Sequence, residues 1–209
     1  MQYVQDYDEL FFPMSGPTAA DTWDNRIASY IPQNVMADNT NPGIFACPSD
    51  TAERFAWGGR VPRSYGLPAS WNGMRNDDGT GWCRDCAKIW QQNGVPLYSL
   101  GEIPAPSNTF MLVESRSAPN FLREGWSTWV FSPVGKGFSA PDGNGWWNGR
   151  PSLDSSEPGK FLPAAHTGGY NFLFADGHAK WMRPDSSVAI GPAGALDFPR
   201  GMWTVSDKD

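Results

Sequence analysis

The residues best suited to hold a metal or move a proton are two histidines and three cysteines, and both histidines, His166 and His178, fall in one short C-terminal stretch. Cys83 and Cys86 form a C-x-x-C in WCRDC. Cys47 would complete a Cys3His zinc site with His166 or His178, since structural zinc takes four protein ligands. The bland alternatives are a Cys83–Cys86 bridge or a long-range bridge from Cys47 to one of that pair, and an oxidising compartment favours a bridge. An odd cysteine count leaves at least one thiol unpaired in a monomer.

Carboxylates add a second set of candidates. A metal or catalytic site on a histidine would recruit Asp176 and Glu114. Glycoside hydrolysis asks for two such acids, roughly 5–5.5 Å apart for retention or 6.5–9.5 Å for inversion. Glu114 ends an expected buried strand, where loss of water suits a carboxyl to act as general acid, and Asp176 is its expected partner. A simpler reading makes Asp176 a turn residue whose carboxylate accepts nearby backbone N–H groups, with His166 as a packing residue. Two oxygen-rich loops, around Asp77-Asp78 and around Asp142, offer ligands for calcium, although neither has the spacing or the closing Glu of an EF-hand. No other cofactor is required.

The 11 Trp are the largest residue-type excess. Trp126, Trp129, Trp146 and Trp147 lie in or beside Gly-rich loops, where exposed aromatic faces would stack on sugar rings. The alternative is that they fill a domain with little regular structure, each burying roughly 150–250 Å². Motifs for other chemistries are missing: the sequence has no G-x-S-x-G, no H-E-x-x-H and no Gly-rich phosphate loop. With 16 Lys+Arg against 22 Asp+Glu, the net charge is −6. That balance, without a basic run, disfavours nucleic acid as a partner. No apolar run approaches the roughly 18–20 residues that span a bilayer.

These side chains need elements to position them. Tyr3, Tyr7, Leu10 and Phe11 share one face of a helix and predict the end of an amphipathic helix over 1–12, stopped by Pro13 and Gly16. A second helix is expected over 22–31, with Asp21 or Thr22 as cap and Trp23, Ile27 and Tyr30 on its buried face. Strand-like runs stand at 109–113 and 126–131, and 132–163 reads as a long Gly- and Pro-rich insertion loop. The strongest local feature is the hairpin YNFLFA-DG-HAKWMR. A two-residue Asp176-Gly177 turn of type I′ would set Ala175 opposite His178, Phe174 opposite Ala179 and Phe172 opposite Trp181. Phe172, Phe174, Ala179 and Trp181 would then form its buried face. The expected fold is α+β: a single domain over 1–209 in which an N-terminal helix packs on an antiparallel sheet, with long Gly/Pro/Trp-rich loops.

His166, nine residues, then Asp176-Gly177 resemble the signature of the H-X9-DG proteins associated with prepilin-type processing, which are similar to the pseudopilins of type II secretion systems. Four further stretches resemble family landmarks in the same order: YVQDYDELFFP (3–13), FACPSD (45–50), RSYGL (63–67) and TFMLVES (109–115). The resemblance implies a pseudopilin-like head, placed outside the cytoplasm in the periplasm or at the cell surface. It also implies a leader and a hydrophobic anchoring helix ahead of the stretch with which this sequence opens. The expected partners are other pilin-like subunits. On the alternative reading, the scaffold is a secreted carbohydrate-active protein and its partner is cell-surface polysaccharide.

Overall fold

In a computed structural model, residues 1–12, 22–36, 41–50, 61–68, 99–114, 122, 129–130, 166–167, 169–183, 186–192 and 201–203 are described. The organising element is a five-stranded sheet of order β3-β1-β2-β4-β5. Its strands are β1 (Tyr65–Pro68), β2 (Phe110–Glu114), β3 (Trp129–Val130), β4 (Tyr170–Phe174) and β5 (Ala179–Met182). The four strands β1, β2, β4 and β5 pair antiparallel, while the two-residue β3 runs parallel to β1 at the edge.

Strand β2 is central and carries side chains to both faces. A register shift between Phe110 and Leu112 places Phe110 and Val113 on one face and Met111 on the other. That is why the strand departs from strict alternation, because a bulge adds one residue to one side of the ladder. Phe110 and Val113 join Tyr170, Phe172, Phe174 and Met182 in a core closed by Ala189 and Met202. There Phe110 stacks on Phe172 at 4.2 Å and meets Phe174 edge-on at 5.1 Å. Each such ring buried is worth about 1.5–3 kcal/mol. The helix α3 (Ser187–Ile190) covers this side, its first turn held by the Ala189 N–H donating to Ser186 Oγ.

The opposite face is packed by the N-terminal half of the chain. Tyr3, Val4, Phe11, Phe12, Trp23 and Phe45 meet Leu67, Met111 and Ala175 there. The first helix, α1, covers only Gln2–Asp6, not the whole of 1–12. Asp8 and Glu9 both take positive φ, 52° and 62°, which reverses the chain. The Leu100 N–H then donates to the Glu9 carbonyl, and Leu10 bridges to Ser99. Phe11 and Phe12 therefore reach the core through this reversal instead of along a helical face, and Tyr7 is left 48% exposed, stacked on Tyr3. The second helix, α2, spans Trp23–Arg26 and tightens into a 3₁₀ turn at Ala28–Tyr30. Thr22 stands at its N-cap without a side-chain capping bond. Among the described residues no helix is long and apolar enough to cross a membrane.

The expected hairpin forms, but one residue out of the expected register. Its pairs are Leu173↔Ala179, Phe172↔Lys180, Asn171↔Trp181 and Tyr170↔Met182. The Phe174 N–H donates to the His178 carbonyl and the Gly177 N–H to the Phe174 carbonyl. Gly177 takes φ +93°, while Asp176 keeps a negative φ. This is a three-residue loop, a type I turn followed by a left-handed glycine, in place of the two-residue I′ turn. The cause is tertiary: Ala175 is fully buried and its N–H donates to the Thr109 carbonyl across 2.9 Å, which draws it into the loop and against β2. A one-residue slip moves side chains to the other face. Phe172 and Phe174 stay in the core as expected, whereas Ala179 is exposed and Trp181 is 49% exposed.

Candidate functional site

Three segments far apart in sequence meet where β2 ends. Glu114 is the last residue of β2, its backbone paired with Tyr65 and its side chain beside Asn171 of β4. Cys47 follows a 3₁₀ turn at Gly43–Phe45, and Phe45 anchors this segment by meeting Trp23 edge-on at 5.7 Å. The Ser64 N–H donates to the Phe45 carbonyl and Ser64 Oγ donates to Asp50 at 2.6 Å, tying the Cys47 turn to the start of β1. His166 precedes β4 and bridges to Gly169 across Thr167, which holds φ at 56°.

The three side chains converge on one point. His166 Nε2 lies 2.9 Å from Glu114 Oε1 and 3.3 Å from Cys47 Sγ. One donor atom from each residue falls within 4.8 Å of the other two. The Glu114 side chain is 3% exposed and that of His166 29%, so the cluster is buried on the sheet side and reached from solvent at the imidazole. Asn171 fixes the carboxylate from the other side: its backbone N–H donates to Oε2 at 3.2 Å and its side-chain amide to Oε1 at 3.1 Å. Burial, with the nearby charges of Cys47, Glu114 and Asp50, pushes the neighbouring Tyr65 phenol up to about 12.

Both contacts fall on the same ring nitrogen. A Cys-His-carboxylate nucleophile would use the two imidazole nitrogens separately, one toward the thiol and the other toward the acid. An Nε2 that faces thiol and carboxylate together is instead arranged as one of three converging donors. Beside it, an apolar cleft of about 260 Å³ opens between Trp23, Ile44, Phe45, Leu112, Tyr65 and Asn171. The last two also flank Glu114.

The second histidine forms a separate, local pair. Asp176 Oδ1 accepts from the His178 backbone N–H at 3.1 Å and lies 2.6 Å from His178 Nδ1. The imidazole also stacks on Phe174 at 4.0 Å. What desolvation there is works against the charged carboxylate, but the hydrogen bonds and charge of His178 outweigh it and hold Asp176 below the usual carboxylate range. Asp176 thus serves the turn, as the simpler sequence reading has it.

The structure does not bring Glu114 and Asp176 together. Phe110, at the far end of β2 from Glu114, is the residue paired with Phe174 just before the turn. Four residue steps along the strand separate the two ends by roughly 13 Å, beyond either glycosidase spacing. Cys47 is a buried free cysteine, so the long-range bridge from Cys47 is not made. Cys83, Cys86, Trp126, Trp146, Trp147, Asp77, Asp78 and Asp142 lie outside the described residues, as does the 132–163 loop. Trp129 is described only as backbone in β3. Sequence reasoning singled out Cys47, His166 and Glu114 in different schemes. It missed Asn171 and Tyr65, which carry no local signal because their roles arise from strand pairing.

The chain matches no family model, no curated protein and no solved structure.

Proposed function

We propose that this chain is the head of a pseudopilin-like protein of the H-X9-DG type, a structural and interaction module outside the cytoplasm that assembles with other pilin-like subunits. The observation that carries the reading is the meeting of the resembling stretches in space. Cys47 comes from FACPSD, Tyr65 from RSYGL, Glu114 from TFMLVES and His166 from the signature, and they adjoin one another at the end of β2. The fifth stretch supplies Tyr3, Phe11 and Phe12 to the core that also holds Phe45 and Leu67. The nine-residue spacing has a physical rationale: His166 docks on Glu114 at one end of β4, and Asp176-Gly177 closes the turn at the other. On this reading α1 and the sheet face beneath it correspond to the helix-on-sheet packing of a pseudopilin head. The carbohydrate-active alternative loses its named acid pair, because Glu114 and the Asp176 turn lie at opposite ends of β2.

The test is a photo-crosslinking residue placed at Tyr7, half exposed beside α1, in the protein as it is made in its own cells. The expected result is crosslinking to pilin-like subunits in material accessible to an impermeant surface label. A protein recovered only from the cytosol, without such adducts, would overturn the proposal.

A further inference from the structure

We infer that Cys47, Glu114 and His166 form a binding site for a zinc-type divalent cation that pins the signature hairpin to the sheet. Three observations carry this. The donors are a thiol sulfur, an imidazole nitrogen and a carboxylate oxygen, each from a different chain segment, all within 4.8 Å of one another. Tetrahedral zinc spreads such atoms to roughly 3.3–3.6 Å apart, so the 2.9 and 3.3 Å contacts need to widen by only a few tenths of an ångström. Second, Nε2 is a donor in one tautomer and an acceptor in the other, so without a cation it cannot bind carboxylate and thiol equally well. A cation between the three replaces that conflict with three coordinate bonds. Third, the supporting contacts suit a metal site. Asn171 orients the carboxylate through two hydrogen bonds, and the Trp181 indole N–H and the Gly169 N–H both donate to the His166 carbonyl.

The donor set selects the metal class. Calcium and magnesium take oxygen ligands, whereas sulfur with imidazole favours zinc and its transition-metal neighbours. Thiolate and carboxylate together neutralise a divalent charge in a largely buried place. Three protein ligands leave a fourth position for water or for a ligand atom, as in zinc sites that are not closed. Binding releases the thiol proton, so affinity falls as pH is lowered. Because the site joins residues separated by 119 positions, the bound cation stabilises the folded chain by mass action. This inference stands apart from the filament proposal, since it concerns the isolated head.

Cobalt titration tests it, because Co²⁺ substitutes for zinc and reports thiolate ligation through a charge-transfer band. One equivalent of Co²⁺ is expected to give that band, and Zn²⁺ to displace it and raise the melting temperature. Cys47→Ser and His166→Gln should lose the band, and Asn171→Ala should weaken binding by about 10–100-fold. The Cys83→Ser/Cys86→Ser variant, checked for folding by circular dichroism, should keep the band, and Zn²⁺ should slow modification of its remaining thiol by a disulfide reagent. A band that survives in Cys47→Ser yet disappears in Cys83→Ser/Cys86→Ser would assign the metal to the C-x-x-C and overturn the proposal. So would a wild-type protein that gives no band, or a Cys47 thiol whose modification rate ignores Zn²⁺.

Discussion

The Trp181 indole N–H donates to the His166 carbonyl across 2.8 Å, and its ring lies directly over Gly169, where a Cβ would come within 2.5 Å of Cε2. A tryptophan that is half exposed thus acts as a clasp on His166. Gly169→Ala is expected to cost about 1–3 kcal/mol by forcing the ring away. Trp181→Phe, which loses the N–H, should cost about 0.5–1.5 kcal/mol. In a Trp181→Ala background the same Gly169→Ala change should cost clearly less, because nothing occupies the space. Urea denaturation of the four proteins checks this; equal costs in both backgrounds would refute the contact.

Arg63 and Asp24 form the most buried ion pair among the described residues, 2.6 Å apart with side chains 0% and 2% exposed. The guanidinium also sits 5.2 Å from the Trp23 ring centroid. Asp24→Ala leaves a buried cation short of its partner and should destabilise the fold by about 3–5 kcal/mol. Replacing both residues with apolar ones of similar size, Asp24→Leu with Arg63→Met, should cost much less than either single change. Equilibrium unfolding of the single and double variants measures the difference.

The lowered pKa of Asp176 predicts an acid-side dependence. Its contribution is present above the ordinary carboxylate value and disappears as pH falls through the depressed one. The melting-temperature advantage of the wild type over Asp176→Asn should therefore be visible at neutral pH and shrink below about pH 4. The effect should be small, because both side chains are open to solvent. An advantage unchanged into strong acid would show that the charge is not involved.

Tyr65 gives the opposite dependence. Its phenol is raised from 10.0 to about 12, first by burial and then by acidic neighbours. The stability this represents is complete below pH 10 and is lost as pH rises toward the folded value, since the unfolded chain ionises first. Tyr65→Phe should be less sensitive than the wild type over that window. Following unfolding alongside phenolate absorbance would reveal the gap, and identical alkaline profiles would contradict the assignment.

Much of the framework was legible in local pattern. The runs at 109–113 and 126–131 and the hairpin stretch at 170–182 carried apolar or turn signals and each holds a strand, whereas β1 at Tyr65–Pro68 lies in a Gly- and Pro-punctuated region that gave no strand signal. Trp23, Ile27 and Tyr30 did mark the packed side of a short helix, and Phe172 and Phe174 did mark a core. The reach of α1 was overread, because spacing reports which residues are apolar and does not reveal a backbone reversal at Asp8 and Glu9. The Asp-Gly turn was also located correctly but given the wrong length. A hairpin considered alone prefers the two-residue loop, and the bond from Ala175 to Thr109 that selects the longer one comes from the residue that leads into β2.

By itself, then, the sequence determined where the hairpin turn and most of the strands lie and which side chains had the chemistry for a site, since both follow from residue type and short-range periodicity. Only the tertiary structure decided which of those side chains meet. It joined His166 to Cys47 and Glu114, sent His178 to Asp176, and kept Glu114 apart from Asp176. The reason is that strand register and sheet order are collective, set by packing on both faces of β2, and a one-residue slip too small to register in the pattern redirects a whole row of side chains.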